Sequence, residues 1–500
     1  MSNYPLTRRA VQVGVLGGAL AALLSGDTLI GYSIFVLCVA AGSTWRVNEA
    51  PVFPFILLLQ WAQVTSGYFF WAWTDVLPSV YPPGDIHRSI LLALTGLLTL
   101  AAGIRVVGQL PHAVVPDEPR RVHNLTGLFW LVVILYSANY VSLLNTKTFS
   151  GYDVILDRVL LMRQIPLLLL WFEVLRQQRH KIYLWISLAW VFVPALGSYF
   201  SDFKTPLLLA LIVSAAAWKP WESGWWRFTF TGAARTVAII AAVLFLTLTW
   251  QAGVKRDARR AYDSNAVGSS PLERIELFVT SASAAGPVVF EDTQNVVEGL
   301  VSRVWYVVFF SRVLEYVPAV EPHADGELLG MAVSNTLMPR FLYPNKLVLP
   351  SDSYYTRRFA GINVSEESTS ISIGYMAEFY ADWGLLGMFV SVFLYGLLIG
   401  GAGWLVAACV KSPLLINPAL ITVLLTVSFF EHQFIKTLAA LTIAVIITIA
   451  TTVACRKRFE RFLDLREGPA VSRTPGPAAI TEPELHRMTS MRIHPQKPGL

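Results

Sequence analysis

The chain alternates between long apolar blocks and short polar joints, with one long polar stretch late in its length. A helix that crosses a bilayer needs about 20 mostly apolar residues, because only closed helices or barrels satisfy their own backbone in lipid. Blocks of that kind predict about twelve spans. They fall at Ala10–Leu24, Thr28–Thr44, Val52–Trp73, Ser89–Val107, Leu125–Leu144, Val159–Leu175, Ile182–Tyr199, Pro206–Trp218, Arg235–Trp250, Trp383–Ala408, Leu414–Phe430 and Ile435–Ala454. The first pair also fits a re-entrant hairpin, and Pro206–Trp218 is short for a span. Arg8 and Arg9 before the first block give it the start of a signal peptide, but no persuasive cleavage site follows and another apolar block comes directly after. It reads as a retained helix.

These blocks predict an all-α polytopic membrane protein in four parts: a nine-helix region over 1–250, a large loop over 251–373, a three-helix region over 374–455, and a tail over 456–500. The tail from Gly468 onward is rich in Pro, Thr, Arg and Glu without apolar periodicity, which predicts disorder. Inside the loop, Val301–Val317 is apolar but carries Arg303, Arg312 and Glu315. It predicts an amphipathic helix at the interface or folded over the bundle, with a spanning or re-entrant segment as the alternative.

Composition agrees with the pattern: 54% of residues are hydrophobic and only 14% charged, against about a quarter charged in soluble domains. The net charge of +6 has a topological cause and implies no nucleic-acid partner. Lys and Arg gather in Trp45–Ala50, Gly108–Val122, Arg176–Lys181 and Lys219–Ala234, at Lys411, and in the run after Cys455, while the intervening joints hold few cations. By the positive-inside rule both termini are then cytoplasmic and the long loop faces outward, away from cytoplasmic nucleotides. Cys38, Cys409 and Cys455 sit in or at the ends of apolar blocks and show no paired spacing.

No Walker A loop, dinucleotide fingerprint, HExxH or GxSxG motif is present, and the eight histidines show no metal-ligand spacing. Neither a cofactor nor a metal is expected. The candidate chemistry lies in the long loop and just beyond it. Arg256, Arg259 and Arg260 share a helical face just after the ninth span, where they suit either phosphate binding or headgroup contact. Arg303 and Arg312 lie close to one face if their segment is a single helix, and Arg312 also has Glu315 at pairing distance. In Thr336–Lys346 two prolines flank Arg340 and Tyr343 and predict a turn that projects Arg340 and Lys346. Glu378 and Asp382 stand four apart on the opening turns of the tenth helix, where a carboxylate is a functional candidate or a cap. His323, Glu327 and Glu378 are the groups able to orient or deprotonate a hydroxyl.

The run PRFLYPNK, followed after a variable stretch by TSISIGYMAEFYADWGLLG entering a helix, resembles the Wzy-type O-antigen polymerase family of oligosaccharide repeat-unit polymerases. The resemblance in motif covers about a tenth of the chain and extends through the topology; the outer-loop arginine and glycine pattern of some relatives is not cleanly matched. It implies a GT-C-like, metal-independent membrane glycosyltransferase that joins undecaprenyl-diphosphate-linked oligosaccharide units at the periplasmic face of a bacterial inner membrane. Membrane lipid, a chain-length regulator and a flippase are the partners it implies. Arg340, Arg303, Arg256 or Arg259 would hold the donor diphosphate, and Glu378 would serve the acceptor hydroxyl. Arg312, Tyr343, Lys346 and His323 are the further substrate-binding candidates. An O-antigen ligase and a flippase or transporter of lipid-linked glycans are the alternatives.

Overall fold

The computed structural model of the protein describes residues 7–46, 49–79, 81–108, 121–144, 159–196, 204–217, 276, 280–281, 283–284, 292–338, 343, 350–363 and 371–466. In chain order the first helices are α1 (Thr7–Ser25), α2 (Thr28–Thr44), α3 (Val52–Thr74), α4 (Ile86–Gly108), α5 (Leu125–Leu144), α6 (Gln164–Gln177), α7 (Lys181–Leu196) and α8 (Lys204–Ala217). Four short helices follow: α9 (Thr293–Val304), α10 (Val307–Tyr316), α11 (Glu327–Leu337) and α12 (Asp352–Ala360). The chain then returns to long helices, with α13 (Tyr375–Cys409), α14 (Pro413–Leu424) and α15 (Phe434–Phe462). Among the described residues the β-structure is one antiparallel ladder, β1 (Arg121–Val122) against β2 (Leu465–Arg466).

Helices α3, α4, α13 and α15 are long and apolar enough to cross a membrane, and apolar segments in α2, α5, α7, α8 and α14 are shorter. The expected ninth span at Arg235–Trp250 and the tail from Gly468 lie outside the described residues.

Small residues set the closest approaches between helices. A Cβ on Gly31 of α2 would lie 2.5 Å from the carbonyl oxygen of Gly18 in α1, so this hairpin packs backbone to backbone. Helices α4 and α13 meet in the same way, since a Cβ on Gly396 would come within 2.4 Å of the Leu100 carbonyl oxygen. Close backbone approach of this sort is how apolar helices associate without a hydrophobic drive between them.

Helix α13 is not one straight rod. Its Gly384 has φ 67° and ψ −164°, a conformation open essentially to glycine alone. The rings of Tyr375 and Tyr395 lie 5.1 Å apart, whereas twenty residues of continuous helix would separate them by ~30 Å. Residues 375–383 therefore fold back antiparallel to the long arm 385–409. The apolar pattern that predicts a span from Trp383 describes the long arm; Glu378 and Asp382 stand on the short one.

The expected single helix over Val301–Val317 is divided as well. α9 ends at Val304, and Tyr306 N–H leaves the helical pattern to donate to the Gln63 carbonyl of α3 at 2.9 Å. Trp305 is buried against α3, with Nε1–H on the Val64 carbonyl at 2.9 Å and its ring filling the space beside Gly67. α10 is too short to span, and its buried Val307, Phe310 and Val313 face the bundle. Gln63 lies eleven residues from the Thr74 end of α3, so the start of α10 sits ~16 Å beneath that end. The segment folds over the bundle and dips into it.

The joints sort into two groups in space. At one end, Ala50 N–H meets Asn417 Oδ1, Val122 N–H meets Glu173, and β1 pairs with β2. At the other, Asp27 accepts from Tyr68, Gly84 N–H meets Ser311, and Gln63 meets Glu431.

Candidate functional site

Four chain breaks converge beneath the short helices. Helix α14 and the single turn after it end at Val427, α15 begins at Phe434, the short arm of α13 begins at Tyr375, and α12 begins at Asp352. A backbone that stops in the middle of a bundle needs partners for its free N–H and C=O groups, and polar side chains from α3 supply several. Gln60 Nε2–H donates to the Val427 carbonyl at 3.3 Å, and Gln63 Oε1 accepts from Phe430 N–H at 2.7 Å. Gln60 Oε1 also accepts from the hydroxyl of Tyr375 at 2.7 Å.

Into this recess the short arm of α13 places Glu378, which is 6% exposed. Its Oε2 accepts from Phe434 N–H at 2.8 Å, at the first turn of α15. That position joins a carboxylate to an orphan backbone donor and to the positive end of a 29-residue helix. Two residues on, Lys436 Nζ donates to Asp352 Oδ2 at 2.6 Å, tying α12 to the bundle. Glu431, in the turn before α15, accepts from Gln63 Nε2–H at 3.3 Å. Three carboxylates and one ammonium therefore gather around the start of α15.

Two tyrosines close the recess. Tyr306 accepts from Ser372 N–H at 3.0 Å, and burial together with the nearby Glu431 carboxylate holds its phenol well above the ordinary range. Tyr355 is 4% exposed and donates to the thioether sulfur of Met331 at 3.0 Å. Burial first, then the fields of Glu378 and Glu327, push its pKa up to about 12, so it remains a neutral donor at physiological pH.

A cap of short helices lies over the fold-back. Asp382, fully buried, accepts from Leu328 N–H at 3.0 Å and Leu329 N–H at 2.7 Å, and so caps α11. Ala324 N–H donates to the Ala381 carbonyl at 2.9 Å, and the same carbonyl lies 3.2 Å from His323 Nδ1. Arg358 on α12 reaches back with Nε on Glu321 at 2.7 Å and Nη1 on both oxygens of Glu327 at 2.9 and 3.0 Å. The hydrogen bonds with Glu327 raise the Arg358 pKa most, and those with Glu321 add to it.

The candidates read from sequence fall in three groups. Glu378 lies in the recess with Glu431, Tyr306 and Tyr355, and with Asp352 and Lys436, which sequence reasoning did not single out. His323 lies on the fold-back tip, with its ring 5.7 Å from that of Tyr380, and Glu327 is engaged by Arg358. Arg303 is exposed on the last turn of α9, while Arg312 on α10 pairs with Glu315 at 3.3 Å, as its spacing predicts. The break at Trp305 puts the two arginines on separate helices, so no continuous face carries them. Tyr343 is 46% exposed. Arg256, Arg259, Arg340 and Lys346 lie outside the described residues.

Among the described residues no group of three or more His, Cys, Asp or Glu side chains is arranged to hold a metal ion. The recess can accept a proton and hydrogen-bond a polyhydroxyl ligand. Its balance of carboxylates over cations makes it a poor seat for a diphosphate.

No curated protein and no solved structure matches this chain. Residues 91–407 match a family described as a domain of unknown function, DUF8712. The match takes in α4, the cap of short helices and both arms of α13, so the fold-back that carries Glu378 lies within the family's own boundaries. It covers more than half of the sequence, and the chain belongs to that family.

Proposed function

We propose that the protein is a membrane glycosyltransferase that joins undecaprenyl-diphosphate-linked oligosaccharide units, with Glu378 as the base for the acceptor hydroxyl. The observation that carries this reading is the placement of Glu378: a carboxylate held by one backbone N–H in a recess roofed by short helices and lined by phenols. A charge at that depth is costly unless it faces a polar cavity, and it marks a substrate path by default.

In this scheme the acceptor hydroxyl oxygen attacks the anomeric carbon of the donor sugar. The bond from that carbon to the diphosphate breaks, the lipid diphosphate leaves with the electron pair, and Glu378 takes the hydroxyl proton. The acidic recess suits the acceptor side of that reaction. The departing diphosphate needs cations, for which Arg340, Arg303, Arg256 and Arg259 remain the candidates. Charge alternation and the resemblance of the Arg340 and Glu378 stretches to Wzy-type polymerases support a periplasmic recess in a bacterial inner membrane. They also support cytoplasmic termini and a GT-C-like arrangement of about twelve spans. An O-antigen ligase would use the same chemistry with a lipid-anchored core as acceptor.

One observation favours a second reading. Broken helices and a buried charge partway down a bundle are also how transporters build their sites, which fits a carrier of lipid-linked glycans. Purified protein in lipid vesicles supplied with an undecaprenyl-diphosphate-linked oligosaccharide and no nucleotide separates the two. Growth of the glycan into longer chains is the expected result. Passage of the unit across the vesicle without new glycosidic bonds would overturn it.

A further inference from the structure

The face of α12 that meets the bundle repeats every three residues: Asp352 binds Lys436, Tyr355 points between them, and Arg358 binds Glu321 and Glu327. Both ends of this stripe are ion-paired to other segments, so the ring between them is fixed on two sides. Its hydroxyl nevertheless has an ill-matched partner. A buried tyrosine normally finds an oxygen or nitrogen for its O–H, and the Met331 thioether is a weak acceptor. The position therefore holds a rigid, desolvated donor that gains by exchanging sulfur for oxygen.

A hydroxylated ligand requires donors as well as an acceptor. In the ionised form that serves as base, the Glu378 carboxylate accepts hydrogen bonds and donates none. A sugar that gives one hydroxyl proton to Glu378 still has neighbouring oxygens with free lone pairs. Phe434 N–H is already taken by Glu378 and one of the three Lys436 N–H groups by Asp352, which leaves the other Lys436 N–H groups, the buried Gln433 Nε2 and the phenols as the donors at hand. We propose that Tyr355 is a substrate-touching residue of this site, whose hydroxyl turns from Met331 to donate to a sugar oxygen next to the attacking one. The proposal rests on the glycosyltransferase reading and adds the residue that orients the acceptor.

The test is a three-variant comparison in the nucleotide-free vesicle assay with an undecaprenyl-diphosphate-linked oligosaccharide. Tyr355→Phe keeps the buried ring and removes only the hydroxyl. It is expected to lower kcat/KM by roughly 3- to 10-fold, the worth of one neutral hydrogen bond, with unchanged abundance and melting temperature. Because the phenol stays protonated, that loss is the same from about pH 6 to about pH 9. Met331→Leu removes the sulfur and is expected to keep wild-type turnover. Wild-type kcat/KM in Tyr355→Phe overturns the proposal, and so does an equal loss in Met331→Leu, which would make the thioether contact structural. Glu378→Gln serves as the control for the underlying reading. If it turns over normally, that reading falls and takes this one with it; if it is dead while Tyr355→Phe is normal, only the role of Tyr355 falls.

Discussion

Two buried glutamates in separate parts of the bundle show what separates structural burial from functional burial. Glu173 on α6 is 2% exposed and accepts from Arg176 at 2.7 Å, Gln177 at 2.7 Å and Val122 N–H at 3.3 Å. Its charge is matched on the spot, and the result is a clamp between α6 and the β1 strand that pairs with the end of the chain. Glu378 is nearly as buried but has a single backbone N–H for a partner, with Asp352 and Asp382 adding to the negative field around it. One carboxylate is consumed by its neighbours; the other keeps capacity for a ligand.

The comparison predicts opposite outcomes for mutation. The largest effect is expected at Glu378→Gln, whose amide oxygen still accepts from Phe434 N–H but cannot take a proton from a hydroxyl. Cells carrying it should lose polymer by about 100-fold or more, with the protein at normal levels in the membrane, as read by glycan gels beside immunoblots. Next is Gly384→Ala, which puts a Cβ on a backbone of φ 67° and ψ −164°. It should cost about 1–3 kcal/mol and displace the short arm with Glu378, so thermal stability and polymer yield fall together. Glu173→Ala should reverse the pattern of Glu378→Gln. It takes an acceptor from the Val122 N–H and the ion-pair partner from Arg176, leaves Gln177 only its bond to the Val122 carbonyl, and should lower stability by about 1–3 kcal/mol, while turnover per folded molecule stays at the wild-type level. The smallest effect belongs to Lys436→Met: the lysine is 60% exposed, which screens the pair, but Asp352 is 9% exposed and loses its cation, so the change should cost about 1 kcal/mol. If that variant melted as low as Glu173→Ala, the distinction between clamp and recess would weaken.

The two regions also differ in how far the sequence reveals them. Because lipid-length hydrophobicity is written in composition, apolar blocks place α2 through α4 within about three residues and the long arm of α13 within about two, while the short arm of α13 and the last eight residues of α15 fall outside them. Glu378 stands out as a carboxylate at a helix entrance. The fold-back at Gly384 does not, since a glycine inside an apolar run looks like any other small residue until its φ is known. Nor does sequence spacing bring Asp352 to Lys436, or Gln63 to Glu431, which are 84 and 368 residues apart along the chain. Glu327 looks as free as Glu378 in the sequence, and its engagement by Arg358 emerges only from packing. The division of Val301–Val317 is hidden too, because nothing in an apolar run marks Trp305 as the residue that will seat on Gly67.

The most direct test sets the two glutamates side by side. Wild-type protein, Glu378→Gln and Glu173→Ala are each reconstituted in vesicles with the lipid-linked oligosaccharide, and chain growth is normalised to folded protein. The account predicts growth by the wild type and by Glu173→Ala, and none by Glu378→Gln. Equal growth in all three, or a loss confined to Glu173→Ala, would contradict it.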